Sequence, residues 1–268
     1  MEYKGRALIA SSFIFLGLLL PLRFPQYFWH IIAVAATFAA LFAFWIFAEK
    51  PSITRFREDW FTLVFLFVFT SAAGVFGYLL ANPIVQALIL GSTGILVYFI
   101  YLVASRLRRN YTPSLFLRNI ISITAILGIF YAISDLLRWV SVSTVKLPQI
   151  ALLVLLFGSV FVISEFLFEV QGFEKSVLYS LALAFVLSEI VWVSSFWLIN
   201  YPYSEKVSNV GVPLPAILGA VVFYLFWGIS HHRIEGTLSK RVMWEYILIS
   251  SVFVLILFLT ARWLPTVR

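Results

Sequence analysis

The sequence predicts an all-α, polytopic transmembrane helix bundle, on three observations. Of the 268 residues, 62% are hydrophobic and only 12% are charged. Soluble domains are about 45–50% apolar and about 25% charged, so lipid must solvate the excess of apolar side chains. The apolar residues also fall into runs of about 20, the length that crosses a bilayer. The polar segments between these runs are too short to form an extramembrane domain.

Nine apolar runs qualify as membrane spans, and together they make residues 1–268 one integral-membrane domain. The turns between them carry charges, prolines or asparagine. Asn82 and Pro83 leave almost no loop between the third and fourth runs, so we expect these spans to form a tight antiparallel hairpin. The spans cover approximately residues 7–22, 28–48, 60–81, 84–105, 117–138, 148–170, 176–199, 214–231 and 244–262.

The first run has features of both a signal peptide and a retained helix. Lys4 and Arg6 precede it, as basic residues precede the apolar core of a signal peptide, and cleavage would leave eight spans. Cleavage requires small residues after the apolar run, whereas residues 20–25 read Leu-Pro-Leu-Arg-Phe-Pro. We therefore expect a retained first helix and nine spans.

Positive residues are distributed unequally between the two sides of the predicted bundle. With nine spans, thirteen of the 19 Lys and Arg lie in the N-terminal tail and the even-numbered loops. The positive-inside rule places that side in the cytoplasm. We expect a multi-pass protein of the plasma membrane, the inner membrane of the cell, with its N-terminus in the cytoplasm and its C-terminus outside.

Charge and composition exclude several functions. The net charge of +7 does not indicate nucleic-acid binding, because the cations are spread over short loops and form no continuous basic face. With no cysteine in the chain, disulfides, thiolate metal ligands and thiol catalysis are excluded. The sequence contains no metalloprotease, nucleophile-elbow or P-loop motif. No cofactor and no metal are expected.

Four carboxylates inside predicted spans are candidate functional residues, because an ionisable group is costly in the membrane. They are Asp135 in the fifth span, Glu165 and Glu169 in the sixth and Glu189 in the seventh. Small residues at helical spacing accompany each, so we expect these three spans to pack together with the carboxylates inside. At 1.5 Å per residue, Asp135 and Glu189 lie at similar depth in the outer half, and Glu165 lies about 7 Å from the cytoplasmic end.

Asp135 and Glu189 also have purely structural explanations. Arg138 follows Asp135 by three residues, a spacing that permits a salt bridge near the outer interface. Glu189 has no cation within a helical turn or two, so it must be protonated or paired across helices. A neutral Glu189 bonded to a neighbouring serine is the structural alternative. A proton- or ion-linked site formed by Glu189, Asp135, Arg138 and Glu165 is the functional one.

Glu169, at the cytoplasmic boundary of the sixth span, is expected to be solvated. It forms a like-charge pair with Glu165 at i, i+4 spacing. No histidine lies in the fifth, sixth or seventh span, and a transition-metal site is therefore not expected there.

A stripe of small residues marks a packing face on the seventh span. Small side chains at every fourth position allow two helix backbones to approach closely in lipid. We expect this stripe to be buried against another helix. Its members are Ser176, Ser180, Ala184 and Ser188.

The segment 106–118 is the most basic part of the chain. Its arginines alternate with apolar residues, a pattern that suits contact with anionic lipid headgroups or with a cytoplasmic partner protein. The arginines are Arg106, Arg108, Arg109 and Arg118. The three histidines, His30, His231 and His232, lie near span ends and are expected to be interfacial or solvated.

Three classes of function remain. A small transporter, permease-like protein or channel-type subunit, the favoured class, would line a polar cavity with the carboxylates. A non-catalytic scaffold or assembly subunit would pack tightly and have no continuous cavity. An intramembrane enzyme acting on a lipid would need several polar residues converging at one depth, and the sequence shows no such set. The expected partners are the lipid bilayer and either other membrane subunits or a second copy of the chain.

The predicted orientation can be tested with single-cysteine variants, because the chain has no cysteine of its own. Cysteines at Ser114 and Ser239 are expected to resist a membrane-impermeant maleimide in intact cells, since both lie on the cytoplasmic side. A cysteine at Ser208 should react. All three should react in permeabilised cells, which is the control. The reverse pattern in intact cells would invert the orientation.

Overall fold

The computed structural model describes residues 2–47, 53–80, 82–108, 111–142, 149–173, 175–195, 200–201 and 212–260. Within them, nine helices are long and apolar enough to cross a membrane, which confirms the all-α transmembrane fold. The helices are α1 (Glu2–Arg23), α2 (Phe28–Phe47), α3 (Ile53–Tyr78), α4 (Pro83–Leu107), α5 (Leu115–Val142), α6 (Gln149–Gln171), α7 (Ser176–Ser195), α8 (Leu214–Ile234) and α9 (Lys240–Thr260).

Two short elements accompany the helices. A 3-10 turn, Pro25–Tyr27, lies between α1 and α2. The two-residue strands β1 (Asn200–Tyr201) and β2 (Val212–Pro213) pair antiparallel, with Asn200 opposite Pro213.

Several helices extend past the predicted spans. α3 begins at Ile53 and not at residue 60, and α5 continues to Val142 and not only to residue 138. Hydrophobicity marks the limits of the lipid, whereas a helix continues until proline, glycine or a cap ends it. Gly172 and Gly236 follow the ends of α6 and α8, and their positive φ angles of 78° and 67° are typical of glycines that end a helix. The predicted ends of the seventh and ninth spans, at 199 and 262, lie outside the described residues.

The chain divides into two compact units, and the first comprises Met1–Gly128 and Glu165–Gly172. In this unit α1 packs against α2 and α4, and α3 packs against the same two helices. The contact face of α2 consists largely of alanine, whose short side chain lets helices approach closely. The Tyr101 hydroxyl of α4 donates to the Ala39 carbonyl of α2 at 2.6 Å. The buried alanines are Ala35, Ala36, Ala39 and Ala43.

The hairpin between α3 and α4 confirms the expectation drawn from Asn82 and Pro83. Asn82 caps α4, its side-chain oxygen accepting from the backbone of Ile84 at 2.9 Å and of Val85 at 3.3 Å. Pro83 occupies the first turn of α4, where a missing N–H costs nothing. The Gln86 amide donates to the Tyr78 carbonyl at 2.9 Å, so this free carbonyl at the end of α3 is satisfied within the turn.

The second unit comprises Ile129–Ser164 and Phe173–Arg268. In it α8 packs against both α7 and α9. Gly219 of α8 faces Ile133 in the second half of α5, and a Cβ at Gly219 would overlap the Ile133 side chain. The two helices can therefore approach at this point only because position 219 has no side chain. The expectation of one integral-membrane domain stays a prediction.

The alanine face of α2 can be tested with two matched substitutions. Ala36 is fully buried, whereas Ala33 is exposed on the same helix. Ala36→Leu should lower the free energy of unfolding by about 1–3 kcal/mol, because a larger side chain overpacks the contact. Ala33→Leu should leave it nearly unchanged. Thermal unfolding in detergent measures both, and equal melting of the two variants would mean that Ala36 does not pack against a helix.

Candidate functional site

Glu165 is the only acidic side chain that is buried in the part of the chain that the structure describes, with 4% of it exposed. It lies six residues before the end of α6, or about 9 Å along the helix axis. The next residue, Phe166, stacks on Phe65 of α3 with ring centroids 4.4 Å apart. This aromatic pair holds the last turns of α6 inside the first unit, and so it positions Glu165 in the interior.

A chain of hydrogen bonds lies at the same end of α6. Gln171 donates from its amide nitrogen to the Ser122 hydroxyl of α5 at 3.2 Å. Ser122 donates in turn to the Arg118 carbonyl at 2.9 Å. The side-chain oxygen of Gln171 is buried without a hydrogen-bond partner. Polar atoms therefore occur both at Glu165 and at the end of α6. The Gln171 oxygen could accept a hydrogen bond from an additional donor there.

Glu169 differs from Glu165 although it lies only one turn further along α6. Its side chain is exposed, which agrees with the expectation of a solvated residue. The pair therefore separates into one buried and one exposed carboxyl group. Among the described residues, no group of three or more His, Asp or Glu side chains is placed to hold a metal ion.

Asp135 lies on α5 in the second unit. The residue is partly exposed, but both of its carboxylate oxygens are enclosed. Tyr131, one turn earlier, is 5% exposed, and Ser134 is fully buried. The side chain of Arg138 lies outside the described residues, so the salt bridge between Asp135 and Arg138 stays a prediction.

Glu189 is exposed on the surface of the chain, whereas the sequence predicts it inside the bundle. The reason is its position relative to the small-residue stripe of α7. Ser180 and Ala184 are fully buried and Ser188 is 7% exposed. Glu189 follows Ser188 by one residue, a rotation of about 100° around the helix. That rotation carries it from the packing face to the outside.

The remaining members of the predicted sets have mixed positions. Ser176, the first residue of the stripe, is half-buried. Asp135 and Glu189 do not form an enclosed pair, because one is covered and the other is exposed. The packing of the fifth, sixth and seventh spans against one another stays a prediction, but Glu189 is not among the carboxyl groups inside the bundle.

The basic segment combines half-buried arginines with exposed apolar side chains. Tyr111, Leu115 and Phe116 are each more than 60% exposed. Such a combination of cations and large apolar groups suits the headgroup level of a membrane. The described arginines, Arg106, Arg108 and Arg118, are half-buried, and Arg109 lies outside the described residues.

An aromatic cluster at the end of α8 is the main feature that sequence reasoning missed. Trp227 stacks on His231 with ring centroids 5.6 Å apart. Tyr246 of α9 lies against Tyr224 at 5.3 Å and against His232 at 5.7 Å. The signal was present in α8, where Tyr224, Trp227 and His231 follow helical i, i+3, i+7 spacing, but Tyr246 comes from a different helix.

Both histidines of the cluster also have polar partners. His231 Nε2 lies 3.4 Å from a carboxylate oxygen of Glu235. His232 Nδ1 lies 2.8 Å from the Thr237 hydroxyl oxygen. The two imidazoles are therefore held by neighbours and are not simply solvated. His30 is exposed near the start of α2, as expected of an interfacial residue.

The chain belongs to the family described as Protein of unknown function (DUF5656), whose model matches residues 9–260. No curated protein and no solved structure matches it. The family match carries no activity, so function must be argued from the residues of the site.

Two helical glycines, Gly228 in the contact between α8 and α9 and Gly158 on α6, are expected to respond differently to alanine. A Cβ at Gly228 would overlap the Tyr246 ring, whereas a Cβ at Gly158 would meet nothing within 4 Å. Gly228→Ala should lower the melting temperature in detergent, because Tyr246 must move. Gly158→Ala should leave it unchanged or raise it, since alanine favours a helix over glycine by up to about 1 kcal/mol. Destabilisation by Gly158→Ala alone would contradict this packing.

Proposed function

We propose that this DUF5656 protein is a small proton- or ion-linked transporter or permease-like subunit in which Glu165 binds and releases the coupling ion. Nine apolar helices within the described residues make it a multi-pass membrane protein. One observation supports the finer proposal, the burial of the Glu165 side chain, 4% exposed, in a helix that is apolar enough to cross a membrane.

A buried acid in a span is a costly feature. Insertion of a central acidic residue costs a few kcal/mol, and such residues mark proton and ion pathways in many membrane proteins. Exchange of a proton with water requires polar atoms between the acid and the solution. Gln171 and Ser122 supply hydrogen-bonding atoms at the nearby end of α6, and this supports that end as the entry side of the proposed site.

The orientation of the protein determines which solution this entry side faces. We place the chain in the plasma membrane with its N-terminus in the cytoplasm, on the distribution of Lys and Arg between the loops. The end of α6 that carries Glu165 and Gln171 then faces the cytoplasm. Asp135 lies near the C-terminal end of α5, and in this orientation that end faces the outside.

A second function, a non-catalytic assembly subunit, is supported by a different observation. Glu189 is exposed on a helix that is apolar enough to cross a membrane. A carboxyl group on the outer surface of a span favours association with another helix that can hydrogen-bond it. The two functions are compatible, because they rest on different residues.

Charge movement after a pH jump tests the role of Glu165 without knowledge of the substrate. Proteoliposomes adsorbed on an electrode should give a transient current when the external pH changes, because a proton that reaches Glu165 crosses part of the membrane. Glu165→Gln keeps the shape of the side chain but cannot ionise, so most of this current should be lost.

Glu169→Gln is the matched control for that measurement. It removes a carboxyl group one turn away on the same helix, but Glu169 is exposed, so its loss should leave the current in place. Melting in detergent verifies that both variants fold. No current from the natural protein, or an unchanged current from Glu165→Gln, would contradict the proposal.

A further inference from the structure

Glu189 occupies an unusual position for an acid. It lies about 20 Å along α7 from Ser176 and about 9 Å before Ser195, at 1.5 Å per residue. Its surroundings on the outer surface of the helix are apolar, with Phe185 64% exposed and Val193 52% exposed. The carboxyl group is too far from the helix end for its short side chain to reach the headgroups. Left in lipid, it would cost a few kcal/mol.

The exposed residues of α7 follow a specific repeat. Five of them succeed one another at intervals of four, three, four and three residues, which is the spacing of the a and d positions of a coiled-coil seam. The buried residues Ser180 and Ala184 lie on the opposite side of the helix. We call this outward stripe the α7 seam, and it consists of Leu178, Ala182, Phe185, Glu189 and Trp192.

We propose that the α7 seam is a homodimer interface, in which Glu189 of one copy hydrogen-bonds Glu189 of a second copy. Copies inserted in one membrane share one orientation, so a twofold axis between them runs along the membrane normal. Such an interface brings the same patch of both subunits together, and equal residues then lie at equal depth. Each Glu189 therefore meets its own counterpart.

Complementarity at this contact supports a second copy as the occupant. A carboxyl group that holds its proton donates to an oxygen of the facing carboxyl group, so the pair satisfies itself and leaves the lipid. Glu189 is the one polar residue of the seam, and a single polar residue at such a position fixes the register and the number of helices in a coiled coil. Ala182, one turn before Phe185, gives the two helices room to approach.

Disulfide cross-linking tests the geometry, because the chain has no cysteine of its own. Leu178→Cys and Phe185→Cys should form covalent dimers on oxidation in native membranes. Val177→Cys is the matched control: Val177 is 49% exposed and adjacent to Leu178, but it is rotated by about 100° around the helix and should stay monomeric. Cross-linking at Val177 but not at Leu178 and Phe185 would overturn the interface. The absence of cross-linking at all three positions would overturn it as well.

Dilution of fluorescently labelled protein in liposomes tests the role of the carboxyl pair. Glu189→Leu should weaken dimerisation by about tenfold, the effect of losing an interhelical hydrogen bond of 1–2 kcal/mol. Glu189→Gln should keep the dimer, because facing amides can also bond each other. Equal association of the natural chain and Glu189→Leu, or a natural chain that stays monomeric at every dilution, would overturn the proposal.

The dimer is independent of the transport site. Glu165→Gln should dimerise like the natural chain, since Glu165 lies in the interior of its own unit and not on the α7 seam. If Glu165→Gln loses charge movement but still dimerises, the result bears on the transport proposal only. If Glu189→Leu loses the dimer but keeps charge movement, the result bears on the interface only.

Discussion

The cost of placing an unpaired polar group in hydrocarbon determines most of this structure. A backbone that crosses lipid must satisfy its own hydrogen bonds, which leaves the helix as the element for each span. Several polar side chains inside the spans follow the same rule. The Thr124 hydroxyl donates to the Ile120 carbonyl of its own helix at 2.8 Å, and Asn82 and Gln86 satisfy the groups at the turn between α3 and α4.

The same constraint separates the acidic residues into different environments. Glu165 is enclosed in the first unit, and the carboxylate oxygens of Asp135 are enclosed in the second. Glu169 lies near the end of its helix, where water is available, and Glu189 lies on the outer surface of α7. An enclosed carboxyl group suits ion coupling, whereas an exposed one within a span suits contact between chains. The two proposals, ion coupling at Glu165 and contact between chains at Glu189, thus rest on one physical cost.

The sequence predicts the parts of the fold that depend on hydrophobicity and on local turn chemistry. The nine spans and the hairpin at Asn82 and Pro83 follow from such signals. Helix ends do not, because α3 continues to Ile53 outside its apolar run. The prediction that Glu189 lies on the inner side of α7 was wrong, because neighbouring residues of a helix point in directions about 100° apart. The contact of Tyr246 with His232 joins two helices, and no local pattern predicts which rings of separate helices meet.

Carboxyl labelling of the protein in nanodiscs that hold one copy tests these environments most directly. A lipid-soluble carbodiimide and a water-soluble one are applied separately, and mass spectrometry locates the modified residues. We expect Glu189 to react with the lipid-soluble reagent, Glu169 to react with the water-soluble reagent, and Glu165 to react with neither. Modification of Glu165 by the lipid-soluble reagent as fast as that of Glu189 would contradict the burial of Glu165, because it would place both carboxyl groups in contact with lipid.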